Sequence, residues 1–389
     1  MFTLLYLYGI INLIYYLIVV ISDLNYGKDN LIMKKNIILS LLLSIVCVLT
    51  GCTAEPTTKS PTIEPTPVIT AEPTKQPISE LTVHFIDVGQ ADAALLQCGD
   101  DVMLIDGGNV ADSSLIVAYL KKLNIEHIDC MVCTHSHEDH VGGLSAPLSV
   151  MPVGAVYAPV TESDSNAYQN FKRKVADTNT EIMHPENYER FPLGSATVEI
   201  LAAPTSADNL NNTSIVLKVT HGNKSFLFTG DAEREEEKTL LNKNIKADVL
   251  KVGHHGSDTS TSYTFLREVM PEYAVISVGK GNSYGHPTND VLSRLRDADV
   301  KVYRTDLQGD IIMSSDGENI TVTTARNENI QTNETAIEYD EGTYIGNKNS
   351  KKLHRPDCYT LPAEKNRIEF TSRADAINAG YSPCGNCQP

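Results

Sequence analysis

Thr134-His135-Ser136-His137-Glu138-Asp139-His140 is the stretch that decides how this 389-residue chain is read. It follows Ile128-Asp129-Cys130-Met131-Val132-Cys133, a short apolar run of strand character. Imidazole and carboxylate are the donors that hold zinc, or manganese where oxygen ligands increase, and a tight turn directs neighbouring side chains toward a shared centre. With 11 histidines in the whole chain, three of them beside an acid in six positions mark a metal site rather than a polar surface loop.

On both sides of this segment short strands and helices alternate. Strand signals cover 81–86, 94–98, 102–105 and 128–133, then 198–201, 214–219, 225–229, 249–252, 273–278, 301–303 and 310–314. Helical spacing of apolar residues recurs at 113–123, 168–176, 233–242, 262–269 and 288–297. The pattern predicts a layered α/β body over about 80–325, without the Gly-x-Gly-x-x-Gly fingerprint of a dinucleotide fold.

Thr-His-x-His-x-Asp-His resembles the signature of the metallo-beta-lactamase fold superfamily, an αββα sandwich with a dinuclear site at one edge. Further motifs resemble its branch in the extracellular hydrolase domain of the competence protein ComEC. They are Phe85-Ile86-Asp87-Val88-Gly89-Gln90-Ala91-Asp92-Ala93, Leu104-Ile105-Asp106-Gly107-Gly108, Phe228-Thr229-Gly230-Asp231, Leu250-Lys251-Val252-Gly253-His254-His255-Gly256-Ser257, Tyr284-Gly285-His286-Pro287 and Tyr303-Arg304-Thr305-Asp306. Ala91 stands where that branch usually has Gly.

The resemblance implies His135 and His137 on a first ion, Asp139 and His140 on a second, and Asp231 bridging them. His254 or His255 completes the ligand set of the second ion, with His254 favoured because it comes directly after its strand and glycine. The superfamily's further histidine between the first signature and Asp231 has no clear counterpart. Only His184 and His221 lie in the interval, and His221-Gly222-Asn223 reads as a solvent-facing hairpin turn. Asp106 is expected to orient a ligand histidine and Asp87 to support the same edge. Asn212 and Ser257 are candidates for holding a substrate oxygen, while His286 and the spare member of the His254/His255 pair are candidate proton donors. His286 before Pro287 also suits a helix cap, and the acids beside glycine also suit turns.

A net charge of -17 repels polyanions unless positive charge is concentrated locally or supplied by metal. The best basic cluster is Lys348, Lys351, Lys352 and Arg355 near the chain end. There His354 and Cys358 are four apart and Cys384-Gly385-Asn386-Cys387 forms a Cys-x-x-Cys knuckle, a closed complement for one structural zinc. A Cys384–Cys387 disulfide is the rival reading. Residues 341–389 are too few to fold on an apolar core, and their order resembles the zinc module of the Ada DNA-repair protein. Residues 326–340 read as a linker.

Met33-Lys34-Lys35, the apolar run 37–49 and Leu49-Thr50-Gly51-Cys52 resemble a bacterial lipoprotein signal over 33–52. It implies a lipidated Cys52 at the outer face of the cytoplasmic membrane. Residues 1–32 are then upstream readthrough or an extra membrane segment, and 53–79, rich in Pro and Thr, form an extended stalk. Cys98, Cys130 and Cys133 sit in apolar strands as buried thiols.

Two divalent ions, Zn2+ or Mn2+, imply hydrolysis, and the competence-protein likeness implies DNA phosphodiesters as substrate. Wall phosphorylcholine esters, other esters or lactones, and a DNA-binding module without turnover are the alternatives.

Overall fold

Alternation along the strands sets the layers. In β1 (Leu81–Phe85), β2 (Ala94–Cys98) and β3 (Asp101–Ile105), the side chains of Val83, Phe85, Leu96 and Met103 enter one core while Leu95 and Leu104 enter another. A strand whose two faces are both buried belongs to the middle of a sandwich.

The computed structural model describes residues 78–160, 163–178, 180–333, 343–385 and 387. Cys52, the expected signal and residues 53–77 of the expected stalk lie outside them, whereas Ser79 at its end meets the body through its carbonyl. The remaining strands of the body are β4 (Ile128–Val132), β5 (Val153–Tyr157), β6 (Ile182–Met183), β7 (Arg190–Leu193), β8 (Ala196–Ala202), β9 (Val216–His221) and β10 (Lys224–Phe228). They continue with β11 (Val249–Lys251), β12 (Tyr273–Ile276), β13 (Lys301–Arg304), β14 (Ile311–Ser315) and β15 (Ile320–Thr324). One sheet runs β15-β14-β1-β2-β3-β4-β5-β6 and the other β13-β12-β11-β10-β9-β8-β7.

Phe85 stacks on Phe228 across the sheets at 5.9 Å, in a core shared with Val198, Ile200, Leu217 and Phe226. The helices Ser113–Lys122 and Asn166–Asp177 cover the first sheet, and Tyr263–Val269 and Asn289–Asp297 cover the second. This is the expected αββα sandwich.

Four body strands, β5, β6, β7 and β15, carry no signal strong enough to predict, and β6 is only two residues long. β7 contains Pro192, which is tolerated because the strand is at a sheet edge, and β15 is an edge strand exposed on alternate residues. β5 is short and carries Gly154. His221 is a correction. It is fully buried at the end of β9, with Nε2 2.8 Å from Ser79 O and Nδ1 3.0 Å from Ser315 Oγ. Gly222 and Asn223 at the turn itself are exposed, but the turn lies against the β14–β15 turn, where a Cβ on Gly222 would be 2.5 Å from Gly317 O. Two hairpin tips pack together and close over the imidazole.

The C-terminal residues form a separate sheet of β16 (Tyr344–Asn347), β17 (Lys352–His354), β18 (Arg367–Phe370) and β19 (Ser382–Pro383), in the order β18-β16-β17-β19. Its apolar core is Tyr344, Leu353, Ala376 and Tyr381, with Phe370 packed against it. Arg373 of this module pairs with the carboxylate of Asp297 on the body, which also accepts from the Tyr263 hydroxyl. The described part of the expected linker lies on the body, where Thr332 Oγ1 donates to Val302 O at 2.6 Å and Asn333 Nδ2 donates to Leu292 O at 2.9 Å. Among the described residues, no helix is long and apolar enough to cross a membrane.

Candidate metal centre

Parallel strands deliver loops to one edge of the sandwich. β3, β4 and β5 run parallel in the first sheet, as do β10 to β13 in the second. Asp106 follows β3, the His135–His140 segment follows β4, Asp231 follows β10, and His254-His255 follows β11. Ligand sites outside the carboxyl ends of parallel strands are the rule in α/β sheets. Gly230 makes the approach between layers possible. Its φ is +52°, and a Cβ would meet Ser214 Oγ at 2.9 Å and Thr134 Cβ at 3.0 Å.

Hydrogen bonding fixes which ring nitrogens are bare. Asp106 accepts from the Thr134 amide at 2.8 Å, from Thr134 Oγ1 at 2.7 Å and from His140 Nδ1 at 2.8 Å. With its Nδ1 proton on Asp106, neutral His140 turns the Nε2 lone pair toward Asp231 Oδ1, 3.2 Å away. His255 Nδ1 lies 3.0 Å from Ser277 O, a group that only accepts. Its Nε2 therefore faces Asp139 Oδ2 at 3.3 Å and Asp231 Oδ2 at 3.7 Å as a second lone pair. His140 Nε2, His255 Nε2, Asp231 Oδ1 and Asp92 Oδ1 are buried without a hydrogen-bond partner. Lone pairs converging on lone pairs need a cation between them, so the donor set fits divalent metal.

Two groups of ligand atoms, each within 4.8 Å, divide the centre: His135, His137 and Asp231, and Asp139, His140 and His255. The first offers three protein ligands, the number that leaves an open position on a catalytic zinc. A third group, Asp92 with His140 and Asp231, overlaps both.

The field is strongly negative. Burial acts to lower the His255 pKa, but Asp231 and Asp92 push it up to about 10. For His140, burial is likewise outweighed by Asp231 and Asp106. Burial would raise Asp231, yet His140 and His255 hold it well below the carboxylate range. Such a field takes up a proton where no metal is bound, and metal and proton compete for the same nitrogens.

A family profile described as the metallo-beta-lactamase superfamily matches residues 86–280. The chain belongs to the metallo-beta-lactamase superfamily. A second profile, the metal binding domain of Ada, matches residues 325–389. ComE operon protein 3 of Bacillus subtilis is 32% identical over 271 residues, covering 60% of this chain and 33% of that protein. Competence protein ComA of Neisseria gonorrhoeae is 34% identical over 247 residues, covering 62% of this chain and 33% of that protein. The chain thus spans about a third of the length of these curated relatives. Among solved structures, the metallo-beta-lactamase fold protein YhfI from Bacillus subtilis aligns over 61% of this chain and all of its own, at 16% identity and a TM-score of 0.44.

In this superfamily member the site cleft, of about 550 Å³, is lined by residues that include Asp139, Asn211, His254, His255, Tyr284 and His286. Both histidines of the pair reach it, but His255 rather than His254 groups with Asp139 and His140. Positive φ values of 50° and 53° at His254 and His255 turn the chain so that the second imidazole swings inward. His254 lies 3.2 Å from Thr259 Oγ1 and 3.3 Å from Glu233 Oε1 through Nδ1, and its Nε2 stands 3.7 Å from Asp231 Oδ2, on the outer side of the same centre.

Three other expectations are corrected. Asp87 does not support the cluster, because its carboxylate pairs with Arg326 at 2.9 Å. Asn212 is absent from the cleft lining, its Oδ1 accepting from the Glu233 amide at 2.8 Å, and neighbouring Asn211 lines the cleft instead. Ser257 places its hydroxyl 3.0 Å from Thr259 and is absent from the lining. Asp92 belongs to the Phe85–Ala93 motif, whose sequence assigns it no ligand or orienting part. It is buried, 2.8 Å from Lys251 Nζ and 3.3 Å from His255 Nδ1. Lys251 was missed with it, and a charged residue inside an apolar strand was the available signal.

In the tail, His354, Cys358, Cys384 and Cys387 bring one ligand atom each to within 4.8 Å of one another. None of the six described cysteines forms a disulfide, and Cys384 and Cys387 are not bonded to each other. Thr360 Oγ1 lies 3.1 Å from Cys358 Sγ, and the Arg355 amide donates to Cys387 Sγ at 3.4 Å. Burial, with the neighbouring thiols, pushes the Cys387 pKa up to about 12, so a cation is what would hold these sulfurs as thiolates.

Proposed function

We propose that this chain is a metal-dependent phosphodiesterase that cuts DNA outside the cytoplasmic membrane, anchored through Cys52. The observation that carries the hydrolytic part is the pair of bare Nε2 atoms, His140 and His255, facing Asp231 and Asp139 in an open cleft. His135, His137 and Asp231 are assigned to one divalent ion, Asp139, His140, Asp231 and His255 to the other, and the tail quartet to a structural zinc. When bound, the two ions supply a nucleophilic water near neutral pH and polarise a phosphoryl oxygen.

The chain's own residues orient and move protons. Asp106 fixes the His140 tautomer, and Asp92 with Ser277 O borders His255 Nδ1. His286 lies outside both ligand groups, faces the cleft, and keeps Nδ1 buried without a partner. Burial, then His254 and His255, lower its pKa, so a proton on it is readily given to a departing oxygen. Likeness to proteins named for competence supports DNA as the substrate. The proposed domain limits are a hydrolase at 80–325, a linker at 326–340 and a zinc module at 341–389.

The test incubates the metal-loaded chain with single-stranded DNA, duplex DNA, bis-p-nitrophenyl phosphate, p-nitrophenyl phosphorylcholine and nitrocefin, with Asp139→Asn as control. DNA cleavage lost in the variant supports the proposal. Intact DNA beside hydrolysis of another substrate overturns it.

A further inference from the structure

One wall of the cleft is the loop from Gly279 to Pro287, and one side chain fixes its shape. Asn282 Nδ2 donates to Gly279 O at 3.0 Å and to His286 O at 2.6 Å, while its Oδ1 accepts from the Tyr284 and His286 amides, both at 3.1 Å. The loop is therefore held in place before any substrate arrives. On it Tyr284 is 71% exposed and belongs to no apolar core cluster, although it lines the same cleft as Asp139, Asp231 and His255.

A single exposed tyrosine is ordinary. This one is backed on one side, because its ring lies over His286 with centroids 5.8 Å apart and planes 27° from parallel. His286 in turn meets His254 edge-on at 5.6 Å. Two aromatic rings thus lead from solvent toward the ligand cluster, and the outer one retains most of its surface for a flat partner. Gly281 and Gly285 flank Tyr284 with no atom within 4 Å of where a Cβ would stand, which leaves room for such a partner.

We propose that Tyr284, backed by His286, is a stacking shelf for a nucleobase next to the scissile phosphate, so that the enzyme selects single strands over duplex. This rests on the phosphodiesterase reading of the site. A base inside a duplex already has both faces covered, whereas an unpaired base gains a ring to stack on. Stacking is tolerant of sequence, so the shelf sets strandedness and not base identity. It also requires little basic surface, in keeping with the acidic body.

The test measures binding by the full chain carrying Asp139→Asn, which keeps the probe intact, with Tyr284 present or replaced by Trp or Ala. Labelled hexathymidylate is compared with an abasic hexamer of the same charge. The shelf predicts that Tyr284→Ala weakens the hexathymidylate about 5- to 150-fold, that Tyr284→Trp retains affinity, and that the abasic strand is indifferent to either change. Equal losses on both probes, no loss with Ala, or no binding of the hexathymidylate overturns the shelf. Cleavage of DNA by the metal-loaded parent chain is scored separately. Its absence sinks the nuclease reading, while the contrast between the two probes still decides the role of Tyr284.

Discussion

Replacing Asp106 by Asn isolates the orientation of one metal ligand. Asn is close to Asp in shape and tolerates the positive φ of 56° at this position. Its carbonyl oxygen can keep the Thr134 amide bond, and its NH2 can donate to a rotated Thr134 hydroxyl. The same NH2 then meets His140 Nδ1–H, donor against donor. The imidazole relieves this by moving its proton to Nε2, the atom 3.2 Å from Asp231 Oδ1 that is needed bare. Loss of such an orienting carboxylate costs about 10- to 100-fold in metal affinity, or about 1.4 to 2.7 kcal/mol. Competition with a chromophoric chelator reads this directly, and the loss should fall on one ion while the tail keeps its own. An Asp106→Asn chain that holds its full metal complement at parental affinity would refute the tautomer argument.

Three further outcomes follow from the same geometry. Cys384→Ser should remove one equivalent of zinc and leave the C-terminal module open to protease, because four buried apolar residues cannot hold it; a protease-resistant tail without zinc contradicts this. His221→Leu should cost about 1–3 kcal/mol in a denaturant titration, by removing the buried imidazole's bonds to Ser79 O and Ser315 Oγ and leaving those atoms to Ser195 Oγ and the Gly317 amide, while metal content stays at the parental value. Without metal, the raised His255 pKa stabilises the fold fully below 6.5, and this is lost as pH rises through about 10. The lowered Asp231 pKa stabilises it above 3.8, and this is lost on acidification. These two groups favour the window between about pH 4 and 6.5, while His135, held neutral by burial, works against them below 6.5 and moves the chelated chain's highest melting toward the upper end of that window. The loaded chain should gain on the alkaline side, where protons no longer compete, and parallel melting profiles would contradict the competition.

Local chemistry made much of the fold legible. Strands such as Ala94–Cys98 and helices such as Tyr263–Val269 carry periodic apolar residues, and their limits fall within a residue or two of the pattern. The metal cluster announced itself because His135, His137, Asp139 and His140 are contiguous. Contacts distant in sequence were not readable. His221 looks exposed until the β14–β15 turn closes on it, and Asp87 looks like a site acid until Arg326, 239 positions away, takes its carboxylate. The choice between His254 and His255 depends on two left-handed backbone conformations that spacing does not encode. Asn211 and Asn212 exchange roles for a similar reason, since a short 3-10 turn at Leu210–Thr213 decides which amide faces the cleft.

Elemental analysis of the metal-reconstituted chain, beside its Asp231→Asn variant, tests the dinuclear centre most directly. The parent is expected to hold two divalent ions in addition to the tail zinc, and the variant to retain both more weakly with the zinc unchanged. A parent that binds nothing beyond the tail zinc, or a variant that keeps both other ions at parental affinity, would contradict it.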